Sequence, residues 1–144
     1  MNILISGCLL GINCRYDGKG KLIDAYEQLS KKYNLIPVCP EQLGGLTTPR
    51  TPAEIVNQRV MTEEGVDVTE QYTKGANEVL HLAKLYDCTI AILKERSPSC
   101  GSNSRYDGTF TGTLINGDGI TAALLKENGI TVYGESEIEK LLSK

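Results

Sequence analysis

The chain has 144 residues, of which 40% are hydrophobic and 23% charged, which is enough for one well-buried core and too few for two. Its net charge of -3 excludes the broad basic surface that holds nucleic acid nonspecifically. No apolar run is long enough to span a membrane, and the start MNILISGCLLG lacks the features of a secretory signal. We therefore expect a single domain, residues 1–144, in the cytoplasm, where cysteines are reduced, bind metal or act in catalysis.

The hydrophobic pattern of the first half predicts a strand, a helix and a second strand. NILIS and NLIPV, residues 2–6 and 34–38, are short apolar runs typical of strands, and residues 22–33 between them have helical spacing. Residues 40–60 are predicted to be irregular, because a Gly pair and several Pro residues oppose regular structure there. Loops of this length are often functional.

The second half continues the alternation of helices and strands. Helices are predicted at residues 69–86, 117–129 and 136–144. Strands are predicted between them, at residues 88–93 and 130–133. Thr69 is the expected cap of the first helix, and Gly129 ends the second. This order predicts a three-layer, Rossmann-like α/β fold with a mostly parallel sheet.

Three of the five cysteines follow the ends of predicted strands. Cys8 lies just beyond the first strand, Cys39 directly after the second, and Cys100 in the loop after the third. Because the carboxyl ends of parallel strands share one edge of a sheet, we expect these thiols to converge in the crevice there. Cys14 either replaces Cys8 or lies beside it, whereas Cys88 begins a strand and is predicted to pack as a small apolar side chain.

Converging thiols indicate a soft metal centre. Sulfur ligands select zinc, copper(I) or iron–sulfur clusters. A closed zinc site needs four ligands, usually in tight C-x2-4-C pairs, which this chain lacks. Three cysteines on three loops suit a [4Fe–4S] cluster with one iron not ligated by protein, and such an iron is a Lewis acid. The alternative is that the thiols are only packed or form a redox pair.

Four segments in order, SGCLLGINCRYDG, PVCPEQLGGLTTPRTPAEI, ERSPSCGS and GDGITAALL, resemble the thiouracil desulfidase family over nearly the whole chain. The resemblance implies a single desulfidase-like domain in which Cys8, Cys39 and Cys100 hold a [4Fe–4S] cluster. It also implies that the iron without a protein ligand binds the sulfur of a thiolated pyrimidine. Water then replaces the sulfur without net redox change, and hydrogen sulfide is released.

Three polar residues near these cysteines are candidates for catalysis. Glu41, two residues after Cys39, is the first candidate for the general base, and Ser97, three before Cys100, would position water or substrate. Lys94 would stabilise developing charge. The alternatives are that Glu41 caps a nearby turn and that Ser97 only fixes its own loop.

The tetrapeptide RYDG occurs twice, each time after a cysteine loop. Asp-Gly favours a tight turn. Either Arg15 and Arg105 flank the cluster as donors to an anionic substrate or to cluster sulfides, or each Arg–Asp pair fixes its own turn. Either Arg50 and Glu54 form a local ion pair, or Arg50 binds a substrate phosphate.

Two weaker signals remain. GDGITA matches a dinucleotide-binding pattern but opens a late helix, so only a phosphate contact at Gly119 is retained as a candidate. The only histidine, His81, lies within a predicted helix and is expected to be a surface or packing residue.

The sequence thus predicts an iron–sulfur-dependent desulfidase that acts on a thiolated nucleobase or nucleotide. The acidic composition makes large RNA the least suited substrate. The alternatives are a zinc or iron–sulfur binding module without catalysis, and a sulfur carrier with a persulfide on Cys100.

Overall fold

The structure, a computed structural model, describes residues 1–144. Eight strands and five helices follow one another in this order: β1 Asn2–Ser6, α1 Tyr26–Lys32, β2 Asn34–Val38, α2 Pro40–Leu43, β3 Ala53–Val56, β4 Arg59–Thr62, α3 Thr69–Leu85, β5 Ile90–Leu93, β6 Ser104–Tyr106, β7 Leu114–Asn116, α4 Ile120–Glu127, β8 Thr131–Gly134 and α5 Ile138–Leu142. Short 3₁₀ turns occupy residues 7–9 and 135–137. None of the helices is long and apolar enough to cross a membrane.

A four-stranded sheet of order β2-β1-β5-β8 forms the centre, and every neighbouring pair in it is parallel. Ile3, Leu4 and Ile5 of β1 are fully buried, as expected for a parallel strand with both faces covered. Leu4 packs with residues of α3 and α4 on one face. Ile3 and Ile5 pack with residues of α1 and α5 on the other face. The predicted three-layer α/β fold is confirmed.

Residues 40–60 hold no long regular element, as predicted, but they are not irregular throughout, because they contain α2 and most of an antiparallel hairpin, β3–β4. The hairpin turns at Asn57 and Gln58, whose φ angles are 49° and 67°. Positive φ at both turn residues matches the right-handed twist of the flanking strands. A second hairpin, β6–β7, was likewise not predicted, and both hairpins lie outside the central sheet.

The starts of α1 and α3 differ from the predictions. Helix α1 begins at Tyr26 rather than residue 22, because Leu22 forms an isolated bridge with Leu10. Thr69 is not the cap of α3 but its first residue, and its Oγ1 accepts the Val60 N–H at 2.8 Å. That bond ties β4 to α3. Gly129, by contrast, follows the end of α4 with φ 79°, as predicted for a helix terminus.

Candidate functional site

A cavity of about 530 Å³ opens at the carboxyl edge of the sheet. Its floor is formed by residues that follow β1, β2 and β5, which are three adjacent strands. Residues of the two hairpins complete its walls. The cavity therefore lies in the crevice where parallel α/β sheets bind ligands.

Four thiols line this cavity, namely those of Cys8, Cys14, Cys39 and Cys100. The structure thus brings together the three cysteines predicted to converge, and Cys14 lies beside Cys8 rather than elsewhere. The Cys39 Sγ donates to the Cys14 carbonyl oxygen at 3.7 Å. Cys88 is buried in the apolar cluster between the sheet and α3, where it was predicted to pack.

The surroundings favour the neutral form of three of these thiols, those of Cys14, Cys39 and Cys100, by raising their pKa values. The pKa of Cys100 is raised by burial and by the charge of Glu41. The pKa of Cys39 is raised by its hydrogen bond with Cys14 and by burial. Cys14 has its pKa raised to about 11: its hydrogen bond with Cys39 lowers the value, but the bond with Cys8 and burial outweigh it. Thiolates at this site therefore require added positive charge, such as a metal centre provides.

The donor set consists of cysteine thiols, the ligands that hold iron–sulfur clusters. No group of three or more His, Cys, Asp or Glu side chains is placed to hold one metal ion. The thiols instead come from separate loops around a cavity, which suits a larger group with cysteine ligands. Cys8, Cys39 and Cys100, with Cys14 as the alternative to Cys8, are the residues available to hold it.

Glu41 and Arg50 form an ion pair on the cavity wall. Their side chains are only 12% and 8% exposed, and Arg50 Nη2 lies 3.3 Å from Glu41 Oε2. The same nitrogen donates to the Cys14 carbonyl at 3.1 Å, and Nη1 donates to Thr48 Oγ1 at 3.0 Å. Burial raises the pKa of Glu41, and the Arg50 charge opposes that rise. The predicted ion pair of Arg50 with Glu54 is wrong.

Ser97 and Lys94 line the cavity as well. Ser97 Oγ accepts the N–H groups of Ser99 and Cys100 at 3.1 and 3.0 Å, so it fixes the turn that carries the cysteine. Its hydroxyl hydrogen is left for another partner. Lys94 Nζ lies 2.9 Å from a carboxylate oxygen of Glu135, so its charge is already paired.

Of the three predicted substrate-binding residues, only Arg15 lines the cavity. Its guanidinium lies 6.0 Å from the centre of the Tyr16 ring. Arg105, in β6, does not line the cavity, and its Nη1 donates to the Asp118 carbonyl at 2.9 Å. Gly119 donates its N–H to the carbonyl of the glycine that follows Cys100, at 2.7 Å, and does not line the cavity.

The repeated RYDG places tyrosines, rather than both arginines, at the cavity. Tyr16 and Tyr106 both line it. Each Asp accepts the N–H two residues further on, at 3.1 Å for Asp17 and 2.9 Å for Asp107, as in a tight Asx turn. The Asp side chains therefore fix their own turns, but without the Arg–Asp pairs that the second alternative expected.

Sequence reasoning missed several other cavity residues. Ser6 ends β1, and its hydroxyl lowers the pKa of Cys100 through a hydrogen bond. Tyr72 of α3 is 3% exposed and lines the cavity as well. Phe110, the only phenylalanine, lies in the β6–β7 loop. Ser6 was detectable because it directly precedes the first cysteine motif, whereas no local signal marks Tyr72 or Phe110.

The fold and the cavity define a parallel α/β protein with a thiol-lined crevice at its sheet edge. A family model described as 2-thiouracil desulfurase matches residues 3–137. The protein YbbK of Bacillus subtilis (strain 168), described as uncharacterized, is 44% identical over 150 residues, covering 97% of this chain and 99% of that protein. A solved structure of the [4Fe-4S]-dependent thiouracil desulfidase TudS has a TM-score of 0.92 and 43% identity, and covers 97% of this chain and 94% of that one. The chain belongs to the 2-thiouracil desulfurase family.

Proposed function

We propose that this protein is a [4Fe–4S]-dependent desulfidase that removes sulfur from a thiolated pyrimidine by hydrolysis. The proposal rests on one observation: the thiols of Cys8, Cys39 and Cys100 line the same cavity as the buried Glu41. The family membership and the name of the TudS structure support it. The overall change exchanges the ring C=S and water for C=O and hydrogen sulfide, so no electrons are gained or lost.

Cys8, Cys39 and Cys100 would hold the cluster. When bound, it supplies an iron without a protein ligand, a soft Lewis acid that polarises the C–S bond of a thiocarbonyl. Glu41 accepts a proton from the attacking water, and Arg50 keeps its carboxylate in place. The Ser97 hydroxyl positions water or substrate. Lys94 contributes little charge, because Glu135 already neutralises it.

The proposed substrates are thiouracil and thiouridine nucleotides. Arg15 is the predicted arginine that lies on the wall of the cavity, where it would meet an anionic group of a nucleotide. The net charge of -3 continues to make large RNA the least suited substrate.

The test is anaerobic reconstitution with iron and sulfide, followed by an assay of sulfide release from 2-thiouracil, 4-thiouracil and 4-thiouridine monophosphate. We expect release of sulfide in step with formation of the corresponding oxo-pyrimidine. A full cluster without any sulfide release would indicate a binding module. Activity of iron-free protein with a persulfide trapped on Cys100 would indicate a sulfur carrier.

A further inference from the structure

Glu54 is a buried carboxylate on the cavity wall without a cationic partner. It lies in β3, is 9% exposed, and lines the same cavity as the thiols. One oxygen, Oε1, accepts the N–H groups of Gly108 and Phe110 at 3.0 and 3.2 Å. The other oxygen, Oε2, accepts no hydrogen bond from the protein, yet it is not sealed from solvent.

This arrangement leaves one strong acceptor of a cavity-lining residue without a protein partner. A buried carboxylate is costly unless hydrogen bonds or a cation compensate its charge. Two backbone amides compensate Oε1 of Glu54, and Arg50, the cation that the sequence offered as its partner, pairs with Glu41 instead. An N–H group of a bound molecule would satisfy Oε2.

Phe110 stands next to this acceptor in a strained backbone conformation. Its φ is 58°, which is rare for a bulky residue and persists only where the surroundings impose it. The Phe110 amide is held in this conformation by its hydrogen bond to Glu54 Oε1 at 3.2 Å, among other contacts of the loop. Gly108 allows the close approach, since its φ is 93° and an added Cβ would lie 2.7 Å from the Ile55 carbonyl oxygen. The loop is further closed by the Asp107 N–H, which donates to the Thr113 carbonyl at 2.9 Å.

We propose that Glu54 and Phe110 form the pyrimidine-recognition subsite: Glu54 Oε2 accepts the ring N3–H, and Phe110 stacks on the ring face. This inference rests on the proposed desulfidase function. N3 lies between C2 and C4, so its N–H is adjacent to the thiocarbonyl in both 2-thio and 4-thio rings and is free in nucleosides too. A cytosine-type ring has a lone pair at N3, which a carboxylate repels. The subsite therefore selects thiouracil over thiocytosine.

The decisive variant is Glu54→Gln, which retains an acceptor for the two loop amides but presents an NH₂ donor in place of Oε2. We expect the KM for 2-thiouracil to rise about tenfold or more, as for loss of a hydrogen bond to a charged group, with a smaller change in kcat. We expect the preference over 2-thiocytosine to fall or invert, because the amide donates to its N3 lone pair. A residue that only holds the loop would leave this preference unchanged.

Phe110→Ala, with Phe110→Tyr as the matched control, tests stacking separately. The alanine variant should raise the KM for both bases by about tenfold, the usual effect of losing one base–aromatic stack, whereas the tyrosine variant should retain wild-type values. Equilibrium dialysis with uracil provides a readout independent of turnover and should show the same ranking.

The outcomes separate this inference from the proposed function. If the loaded wild-type protein releases no sulfide from any thiouracil, both are overturned. If the wild-type protein is active and Glu54→Gln keeps its KM and its base preference, the recognition subsite alone is overturned. Normal uracil binding by Phe110→Ala would refute the stacking role.

Discussion

The Arg50 guanidinium shows how a single buried side chain organises the candidate site. It donates to the Glu41 carboxylate, to the carbonyls of Cys14 and Thr47, and to the Thr48 hydroxyl. A buried ion pair contributes little net stability, but removal of one partner leaves the other uncompensated and is strongly destabilising. Arg50 thereby fixes Glu41 beside the thiols while the pair remains shielded from water.

We predict that Glu41→Gln lowers turnover by roughly 10² to 10⁴, the usual worth of general-base catalysis. The amide has nearly the same size and keeps an oxygen for Arg50, so iron content and substrate-induced spectral changes should persist. Steady-state kinetics and iron analysis of the reconstituted variant provide the measurement. Normal turnover with a full cluster would indicate that Ser97 or another group acts as the general base.

Individual Cys→Ser variants test the proposed ligand set. We expect Cys8→Ser, Cys39→Ser and Cys100→Ser each to lose most of the reconstituted iron, because two thiolates do not hold a cluster stably. Cys88→Ser is the matched control and should retain it, since Cys88 does not line the cavity. Iron loss in Cys14→Ser with retention in Cys8→Ser would contradict the assignment.

At the scale of elements, the amino end of α4 supports the loop that carries Cys100. The amides of residues 120–122 donate to the carbonyls of Pro98 and Ser99 at 2.8 to 3.2 Å. Helix N-termini leave such amides without intrahelical partners, and here the loop satisfies them. Because protein carbonyls occupy these amides, they are not free to bind a substrate phosphate at this helix end.

We predict that Thr121→Val destabilises the protein more than Thr121→Ser, which keeps the hydroxyl and loses only a methyl group. Thr121 Oγ1 lies 2.7 Å from Ser99 Oγ, and both residues are fully buried. Valine leaves the Ser99 hydroxyl without its partner, which costs about 1–3 kcal/mol. Urea unfolding of the three proteins measures the difference. Equal midpoints for valine and serine would show that this bond contributes nothing.

The sequence identified the central elements better than the hairpins, for physical reasons. Strands buried on both faces appear as continuous apolar runs, whereas β7 is exposed along its whole length and has no such pattern. The β3–β4 turn uses Asn57 and Gln58 at positive φ without the usual glycine.

The partner of Arg50 was not predictable from spacing. Arg50 and Glu54 are four residues apart, a spacing that brings side chains together only in a helix. Glu54 lies in a strand, and Arg50 pairs with Glu41 of α2 instead. The convergence of the three cysteines was predictable, because it follows from parallel strand ends alone.

At the scale of the whole molecule, α3 connects two apolar clusters. Val79 and Ala83 pack against the central sheet, while Tyr72, about two to three turns earlier, packs with Val60 of the β3–β4 hairpin. A helix shared in this way couples the hairpin to the sheet, because neither cluster is complete without it.

We predict that residues 1–144 unfold in one cooperative transition, as expected of a single domain. The chain has seven tyrosines and no tryptophan, and Tyr72 and Tyr133 lie in different clusters. Urea curves from tyrosine fluorescence and far-ultraviolet circular dichroism should therefore coincide for the iron-free protein. Separate midpoints would indicate that the hairpin cluster is an independent folding unit.

The cavity is lined partly by residues that follow the strands of the central sheet and partly by residues of the two hairpins. The thiols and Glu41 follow the strands of the central sheet, whereas Glu54 and Phe110 belong to hairpins that add no strand to it. Substitutions or length changes in the hairpins would leave the register of the sheet intact. Descendants of one ancestral chain can thus acquire new ring preferences while they inherit the sulfur chemistry unchanged.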